Sequence, residues 1–335
     1  MAKKKRKFKM IILFIVFEIV FTVITSIIYI YKGPFNNLKK VVVATIMGTQ
    51  HQYFATAFLS QNDIKSIMGN NSSKNIEKID VSKVKMNTKK DNEIIRYDIH
   101  PDSGRYDGYL LEIPPTYKVK VAWTNKLGVV GQRTSEMAKE HNAIAAINGG
   151  AFKDKNKDSY GGAAAFPGGF VISNGNVIYK DKNISDSTPF KVVAFNKSNR
   201  LFAGNFSIND LQKMDVSEAV CFDLQGFNAP ALIINGKGQI DDASAADCGF
   251  QPRTAIGQKQ DGTILFLVMD GRKDLTKAGA TLKDVQDELL KHDAFNATIL
   301  DGGFSSTLYY DGTVINNPHG WNGERYVATA FYVAN

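Results

Sequence analysis

Apolar residues near the start of the chain form one long, almost uninterrupted run. Residues 11–31 read IILFIVFEIVFTVITSIIYIY, and Glu18 is the one charge among them. A helix that crosses a bilayer needs about 20 mostly apolar residues, so this pattern predicts a transmembrane helix. Basic residues precede it at Lys3, Lys4, Lys5, Arg6, Lys7 and Lys9. The positive-inside rule then predicts a cytoplasmic tail over residues 1–9, a signal anchor over residues 10–31, and an extracytoplasmic remainder.

A cleaved signal peptide is the alternative interpretation of this run. The run is long for the apolar part of a signal peptide, and no A-x-A-like cleavage site follows it. We therefore predict a single-pass protein of the cell membrane.

The pattern after the anchor is first helical and then polar. Apolar residues are dense over residues 32–68, where Ser60 and Asp63 precede Ile64 in the manner of a capping box. Residues 69–92 are polar, which is typical of a linker or loop. We predict a helical stalk and polar linker over residues 32–92 and a compact domain over residues 93–335.

The compact domain is dominated by strand patterns. Residues 109–113 and 117–123 have strand composition on either side of a Pro-Pro turn. Later apolar runs are separated by the pairs Asn174-Gly175, Asn235-Gly236, Asp261-Gly262 and Asp311-Gly312, which favour turns between antiparallel strands. Helical patterns are limited to residues 135–141 and 281–291. The predicted class is α+β, a single domain rich in antiparallel sheet with a few helices, after the transmembrane helix and the stalk.

Composition and charge narrow the classes of function. The apolar fraction of 44% in 335 residues allows a sizeable core. Without the six basic residues of the tail, the net charge of +8 falls to +2. The domain therefore lacks the basic excess that a nucleic-acid partner requires. Cys221 and Cys248 both lie on the predicted outer side, where a disulfide is permitted; two buried thiols are the alternative.

Four apolar strand patterns border a turn that contains polar residues or glycines. A strand that leaves the core at such a turn holds a reactive side chain on a rigid element. An ordinary turn or a surface arginine explains each segment taken alone, but their shared form predicts one common cleft. The segments are AIAAINGGAF with Asn148, Gly149 and Gly150; PRTAIG with Arg253; TILFLVMDGR with Asp270 and Arg272; and ATILDGGFSST with Asp301, Gly302, Gly303, Ser305, Ser306 and Thr307.

A fifth segment near the C-terminus adds an amide, a carboxylate and a guanidinium. These groups belong to Asn317, Glu324 and Arg325. In family order, NGGAF, PRTAIG, MDGR, LDGGFSST and NGERYVATAFYV resemble the phosphodiester glycosidases, whose best-known animal member removes N-acetylglucosamine from a phosphodiester. The resemblance covers roughly residues 106–333. Phe304 stands where the family has a third glycine, and Asn317 where it often has an arginine, so both positions bear on substrate specificity.

The resemblance implies a hydrolase that cleaves a sugar-1-phosphodiester bond of N-acetylglucosamine type in a cell-surface polysaccharide or wall polymer. One carboxylate should face the anomeric carbon, and cationic groups should face the phosphate. The carboxylates implied are Asp301 and Glu324, with Asp270 third. Arg253 and Arg325, then Arg272, are the implied phosphate ligands. The polar turn residues named above would orient the sugar or the phosphate.

A different class of function remains open, because arginines and amides also suit a non-catalytic binding or assembly protein for an anionic wall polymer. The carboxylates discriminate between the two, since a binder of polyanions gains nothing from Asp301 and Glu324 beside a phosphate. The sequence predicts no cofactor, because no His, Cys and Asp cluster has metal-ligand spacing. Ca²⁺ or Mg²⁺ on Asp270 and Asp301 with backbone carbonyls is the open alternative.

Overall fold

The structure is a computed structural model that describes residues 2–47, 52–68, 79–87, 93–153, 163–222, 231–241, 249–274, 276–319 and 323–334. The chain divides into two compact units. The first contains residues 1–70 and 246–249, and the second contains residues 71–245 and 250–335.

The first unit is helical, as the sequence predicts. Its helices are α1 (Ala2–Lys32), α2 (Asn36–Met47), α3 (Tyr53–Thr56) and α4 (Gln61–Met68). Residues Lys7–Lys32 of α1 are long and apolar enough to cross a membrane; a signal sequence would pass the same test. The predicted capping box is present, because Asp63 N donates to Ser60 Oγ at 3.1 Å and Ser60 N donates to Asp63 Oδ2 at 3.2 Å.

The second unit begins before the predicted domain boundary. Residues 79–87 fall in the predicted linker, yet Val84 is fully buried. Lys85 N donates to Gln260 O at 2.7 Å, and Asn87 N donates to Asp261 O at 2.8 Å. Part of the polar stretch therefore packs on the domain, which its polar composition did not predict.

The second unit holds three further α-helices and the strands. The helices are α5 (Thr134–Glu140), α6 (Ile208–Lys213) and α7 (Leu282–Lys291). The strands are β1 (Ile95–Ile99), β2 (Gly108–Ile113), β3 (Lys118–Trp123), β4 (Ala145–Asn148), β5 (Phe152–Lys153), β6 (Phe166–Pro167), β7 (Phe170–Ser173), β8 (Asn176–Lys180), β9 (Phe190–Asn196), β10 (Leu201–Phe206), β11 (Val216–Cys221), β12 (Ala231–Ile234), β13 (Lys237–Gly238), β14 (Arg253–Lys259), β15 (Ile264–Met269), β16 (Ala294–Ile299), β17 (Leu308–Tyr310), β18 (Thr313–Val314) and β19 (Thr329–Ala334).

These strands form three large antiparallel sheets and one small ribbon within the described residues. The strand orders are β1-β2-β15-β14-β16-β12-β13, β10-β9-β11-β7-β8 and β18-β17-β4-β19-β3, with β5 and β6 paired separately. The prediction of an α+β domain rich in antiparallel sheet is confirmed.

The four predicted Asn-Gly and Asp-Gly turns each join two adjacent strands. Asn174, Asn235 and Asp311 have φ of 50°, 51° and 46°, and each is followed by a glycine with positive φ. Two successive positive φ values define the tight turn that matches strand twist. The turn at Asp261 differs, because Gly262 alone has a positive φ, of 93°, and Lys259 N donates to Thr263 O at 2.8 Å.

One buried cluster draws side chains from all three large sheets. It includes Val121, Ile147, Phe195, Phe266 and Phe331. Helix α7 covers another face of the seven-stranded sheet and buries Leu282, Val285 and Leu289. The core thereby fixes the strands whose ends carry the predicted site residues.

Candidate active site

Two predicted carboxylates lie at one edge of the seven-stranded sheet. Strand β14 is antiparallel to both of its neighbours, with Arg253 opposite Met269 of β15 and Ala255 opposite Ile299 of β16. The N-terminal end of β14 therefore meets the C-terminal ends of β15 and β16. Asp270 follows β15 directly and Asp301 follows β16 after Leu300, so the register brings both to the edge where Arg253 lies.

Asn148 connects this edge to strand β4 of a different sheet. Its side chain is fully buried, and its Nδ2 donates to Asp301 O at 2.6 Å. Its Oδ1 accepts hydrogen bonds from Thr254 Oγ1 at 2.9 Å and from Thr307 N at 3.1 Å. We expected Asn148 to orient the substrate, but these contacts join three segments of the protein. Thr254 was not singled out from the sequence, although it lies within the PRTAIG segment.

The two glycines after Asn148 allow close packing of protein segments. A Cβ on Gly149 would lie 2.5 Å from Thr329 Oγ1, and a Cβ on Gly150 would overlap the carbonyl of Cys221. Gly149 therefore allows the close approach of β19, and Gly150 allows that of β11.

Gly302 and Gly303 complete the turn after Asp301. Gly303 has a φ of 62°, and its N–H donates to Pro252 O at 2.8 Å. A Cβ on Gly302 would lie 2.9 Å from the same carbonyl. These contacts hold the Asp301 turn against the residue that precedes Arg253.

The Asp301 carboxyl is desolvated, and burial raises its pKa above the ordinary value. The Ser305 hydroxyl, the Arg325 guanidinium and the Gly302 N–H act in the opposite direction and lower its pKa. These three groups favour the ionised form of Asp301. Burial outweighs them in the structure, because removing a carboxylate from water disfavours its charged form.

Two arginines, Arg253 and Arg272, lie close together beside the Gly302-Gly303 turn. Arg253 is 5% exposed, and its Nε donates to Ala280 O at 3.1 Å. Arg272 adopts a φ of 59°, and its Nη2 donates to Gln251 Oε1 at 3.3 Å. Burial and the charge of Arg253 lower the Arg272 pKa to about 10. An anion beside these guanidinium groups would offset their mutual repulsion.

Phe304, which replaces the third glycine of the family pattern, contacts this arginine pair. The Arg272 guanidinium lies 4.9 Å from the centroid of the Phe304 ring. A cation over an aromatic face is favourable, so Phe304 helps to fix the position of Arg272.

Asp270 lines a small cleft of ≈ 90 Å³ with Tyr109, Lys273, Asn317 and His319. Burial raises the Asp270 pKa, whereas hydrogen bonds and the facing His319 lower it. Asn316, which the sequence analysis did not single out, donates hydrogen bonds to both turns. Its Nδ2 donates to Asp270 Oδ1 at 2.7 Å and to Ser306 O at 3.1 Å, while Asn317 N donates to Asp270 Oδ2 at 2.8 Å. Asn316 therefore connects the Asp270 turn to the Asp301 turn.

The hydroxyl residues after Asp301 are buried. Among the described residues, Ser306 Oγ has no hydrogen-bond partner. Ser305 Oγ makes no well-formed hydrogen bond either, but it lies near enough to Asp301 to lower the Asp301 pKa. Buried hydroxyls usually have a partner, so these two are suited to a ligand or to bound water. Thr307 instead serves the protein, since its backbone pairs with Asn148.

Glu324 and Arg325 lie on the segment that leads into β19. Ser135, near the start of α5, donates its backbone N–H at 3.0 Å and its hydroxyl to the Glu324 carboxylate. The Arg325 guanidinium lies 4.6 Å from the Phe152 ring centroid and near enough to Asp301 to lower that residue's pKa. The structure thus places Arg325 toward Asp301 and fastens Glu324 to α5.

No group of three or more His, Cys, Asp or Glu side chains suited to a metal ion occurs within the described part of the chain. Cys221 is buried, and Phe170 N donates to its Sγ at 3.3 Å. Cys248 lies outside the described residues, so a disulfide and two buried thiols both stay as alternatives.

The fold and the edge with its carboxylates and arginines define the class of protein. The sequence model of the phosphodiester glycosidase family matches residues 141–334, and the chain belongs to this family. The N-acetylglucosamine-1-phosphodiester alpha-N-acetylglucosaminidase of Homo sapiens is 28% identical over 193 residues, which are 50% of this chain and 36% of the human protein. The Bos taurus protein of the same name is 33% identical over 101 residues, 26% of this chain and 19% of that protein.

A prophage-derived uncharacterized protein, YomE of Bacillus subtilis, is 44% identical over 66 residues, which are 20% of this chain and 10% of YomE. The chain thus spans only a minor part of each of these curated relatives. Among solved structures, the catalytic domain of the zebrafish N-acetylglucosamine-1-phosphodiester alpha-N-acetylglucosaminidase has a TM-score of 0.57 at 20% identity and covers 75% of this chain and 86% of that chain. This likeness shows the fold.

Proposed function

We propose that the protein is a membrane-anchored, extracytoplasmic glycosidase that hydrolyses sugar-1-phosphodiester bonds, of N-acetylglucosamine type, in cell-surface polysaccharide or wall polymer. The observation that carries this proposal is the meeting of Asp301, Arg325, Arg253 and Arg272 at one end of the sheet core. A carboxylate and guanidinium groups are the two kinds of group that this cleavage needs.

Asp301 supplies the carboxylate at the anomeric carbon, as nucleophile or as base for water. The bond from C1 to the phosphate oxygen breaks, the oxygen of water joins C1, and a phosphate monoester leaves. Because the phosphate carries its charge away readily, the leaving group needs little protonation. Arg253, Arg272 and Arg325 stabilise the charge that grows on it. Ser305 and Ser306 direct their hydroxyls to the substrate.

Glu324 acts through its neighbour in this account. Its carboxylate is held by the Ser135 N–H and hydroxyl, which fixes the backbone from which Arg325 projects. It therefore serves as a positioning residue, and Asp270 with Asn316 positions the turn that carries Ser306. The sequence-based proposal that Glu324 shares the bond cleavage is the alternative, and kinetics of Glu324→Gln separate the two.

Hydrolysis in ¹⁸O-labelled water tests the reaction class. A glycosidase breaks the bond between carbon and oxygen, so we expect the label on C1 of the released sugar and none in the phosphate monoester. Mass spectrometry and phosphorus NMR measure both products. Label in the phosphate would show attack on phosphorus, and binding of the phosphodiester without products would support the non-catalytic alternative; either result overturns the proposal.

The location rests on the charge asymmetry around the apolar run. Protease added to intact protoplasts should remove the domain and spare an N-terminal tag. Loss of the tag with a protected domain would reverse the topology, and release of the domain into the medium without α1 would show cleavage of a signal peptide.

A further inference from the structure

The short helices that follow α1 form a compact cluster around the last turn of the apolar helix. Tyr31 is 7% exposed and packs with Val43, Ala55, Leu59 and Ile64. Ile27, one helical turn before Tyr31, and Ile30, its neighbour in sequence, pack against the same cluster. The end of α1 and the helices α2–α4 therefore share one small core, and the cluster is fixed to the place where the apolar run ends.

Large apolar side chains nevertheless remain exposed on this cluster. Phe35, Leu38, Tyr53, Phe54 and Phe58 have exposed fractions of 52%, 48%, 56%, 52% and 47%. Scattered exposed apolar residues need no explanation, but four aromatic rings and a leucine within 24 residues exceed that background. Such a surface needs a partner.

Contacts with α1 define the height of these rings along the helix. The Phe35 ring centroid lies 5.5 Å from that of Tyr29, and the Phe58 ring stacks on Tyr31 at 5.2 Å. The Tyr31 hydroxyl donates to Phe54 O at 2.6 Å. Tyr29 and Tyr31 belong to the last turn of α1, which rises about 5.4 Å per turn. The Phe35 and Phe58 rings and the backbone of Phe54 therefore lie within about one turn of the end of the apolar helix, and the Tyr53 ring lies 4.4 Å from that of Phe54.

We propose that α2–α4 form a collar that lies in the outer headgroup region of the bilayer and inserts Phe35, Tyr53, Phe54 and Phe58 among the lipids. Aromatic side chains are enriched at this depth, because their rings prefer the boundary between hydrocarbon and water. Lys32 and Lys39 follow the end of the span and face the lipid phosphates. The collar rests on the proposed membrane anchor, and it assigns lipid, not another protein, as the partner of the exposed rings.

Site-specific photocrosslinking in lipid nanodiscs tests this proposal on the full-length protein. A benzophenone analogue of phenylalanine replaces Phe54 or Phe58 in separate variants, and mass spectrometry detects attached phospholipid. Phe17, in the middle of α1, is the positive control, and Val129, which is 61% exposed in the second unit, is the apolar exposed negative control. We expect phospholipid adducts at positions 54, 58 and 17 and no adduct at position 129.

The controls separate failure of the collar from failure of the anchor. Adducts at position 17 but none at positions 54 and 58, or peptide adducts there in place of lipid, would overturn the collar alone. Absence of lipid at position 17 as well would overturn the anchor and the collar together. None of these readouts depends on glycosidase activity.

Discussion

The two ends of the central strand β14 place charged groups in opposite environments. At its C-terminal end, Lys259 Nζ lies 2.5 Å from Glu112 Oε1, and His292 Nδ1 lies 3.1 Å from the same oxygen. His292 Nε2 also lies 3.7 Å from Glu288 Oε1. These partners raise the His292 pKa to about 9 and hold the Glu112 and Glu288 pKa values below their ordinary range.

At the N-terminal end, about 20 Å away along the strand, the shifts go the other way. Burial raises the Asp270 and Asp301 pKa values and lowers that of Arg272 to about 10. Each of these shifts favours the neutral form. The C-terminal end is a paired network that stabilises the fold. The N-terminal end keeps charges desolvated and is the end expected to do chemistry, because perturbed pKa values cluster at functional sites.

Breaking the ion pairs at the C-terminal end of β14 should have the largest effect on stability. Glu112→Gln leaves Lys259 and His292 with one carboxylate fewer, and their side chains are only 14% and 15% exposed. We expect a loss of about 3 kcal/mol of unfolding free energy, because removing one partner of a buried ion pair strands the other charge. Denaturant unfolding measures this loss, with Asp215→Asn, whose pair with Lys197 is exposed, as the control. Equal stability of the two variants would contradict the network.

Removing the positive charge of Arg325 beside Asp301 should lower the catalytic efficiency. Arg325→Ala is expected to lower kcat/KM about 10²-fold, as the loss of one charge-stabilising donor does. The acid limb of the pH profile should also move to higher pH, because Arg325 lowers the Asp301 pKa. Arg96→Ala, at a surface pair with Asp98, is the control and should change neither quantity. An unchanged acid limb in Arg325→Ala would contradict the placement of Arg325 beside Asp301.

Both ends should make stability fall as pH rises, but over different pH windows. Since the His292 pKa rises from 6.5 to about 9 on folding, its contribution is complete below pH 6.5 and is lost as pH rises through about 9. We expect a loss of about 2 kcal/mol over this window, which His292→Gln abolishes. The raised pKa values of Asp270 and Asp301 make stability fall as pH rises above their ordinary values. Flat stability of the wild type from pH 6.5 to 9 would contradict the His292 assignment.

The smallest effect is expected from the residue that acts indirectly. Glu324→Gln retains an oxygen for the Ser135 N–H, so we expect kcat/KM to fall about tenfold, within the range for a displaced neighbour. Ser135→Ala should cause a loss of similar size, because it removes the same contact from the other side. A fall in Glu324→Gln as deep as that of Asp301→Asn would instead make Glu324 a partner in the bond cleavage.

Local sequence chemistry predicted the hairpins and the long N-terminal helix, because each depends on residues that are close in sequence. The contacts that build the two ends of β14 are not local. His292 and Glu112 are 180 residues apart, and Ser135 and Glu324 are 189 residues apart. Read singly, His292 and Glu112 resemble surface charges. Asn148 resembles a ligand group until Thr254 and Thr307 fill its hydrogen bonds.

The strand-end rule singled out Asp270, Asp301 and Arg253 as candidates, since a polar residue at the end of a buried strand leaves a recognisable pattern. It did not reveal which of them share a face. That depends on the register of β14 with β15 and β16, which is set by packing across the sheet.

The most direct test measures turnover per folded molecule and unfolding free energy for Asp301→Asn and Glu112→Gln in parallel, with a sugar-1-phosphodiester as substrate. We predict that Asp301→Asn loses kcat by about 10³-fold. Its stability should be equal or higher, because a desolvated carboxylate is removed. Glu112→Gln should keep its turnover and lose stability. Near-normal turnover in folded Asp301→Asn would contradict the assignment of the active site to this end of the sheet.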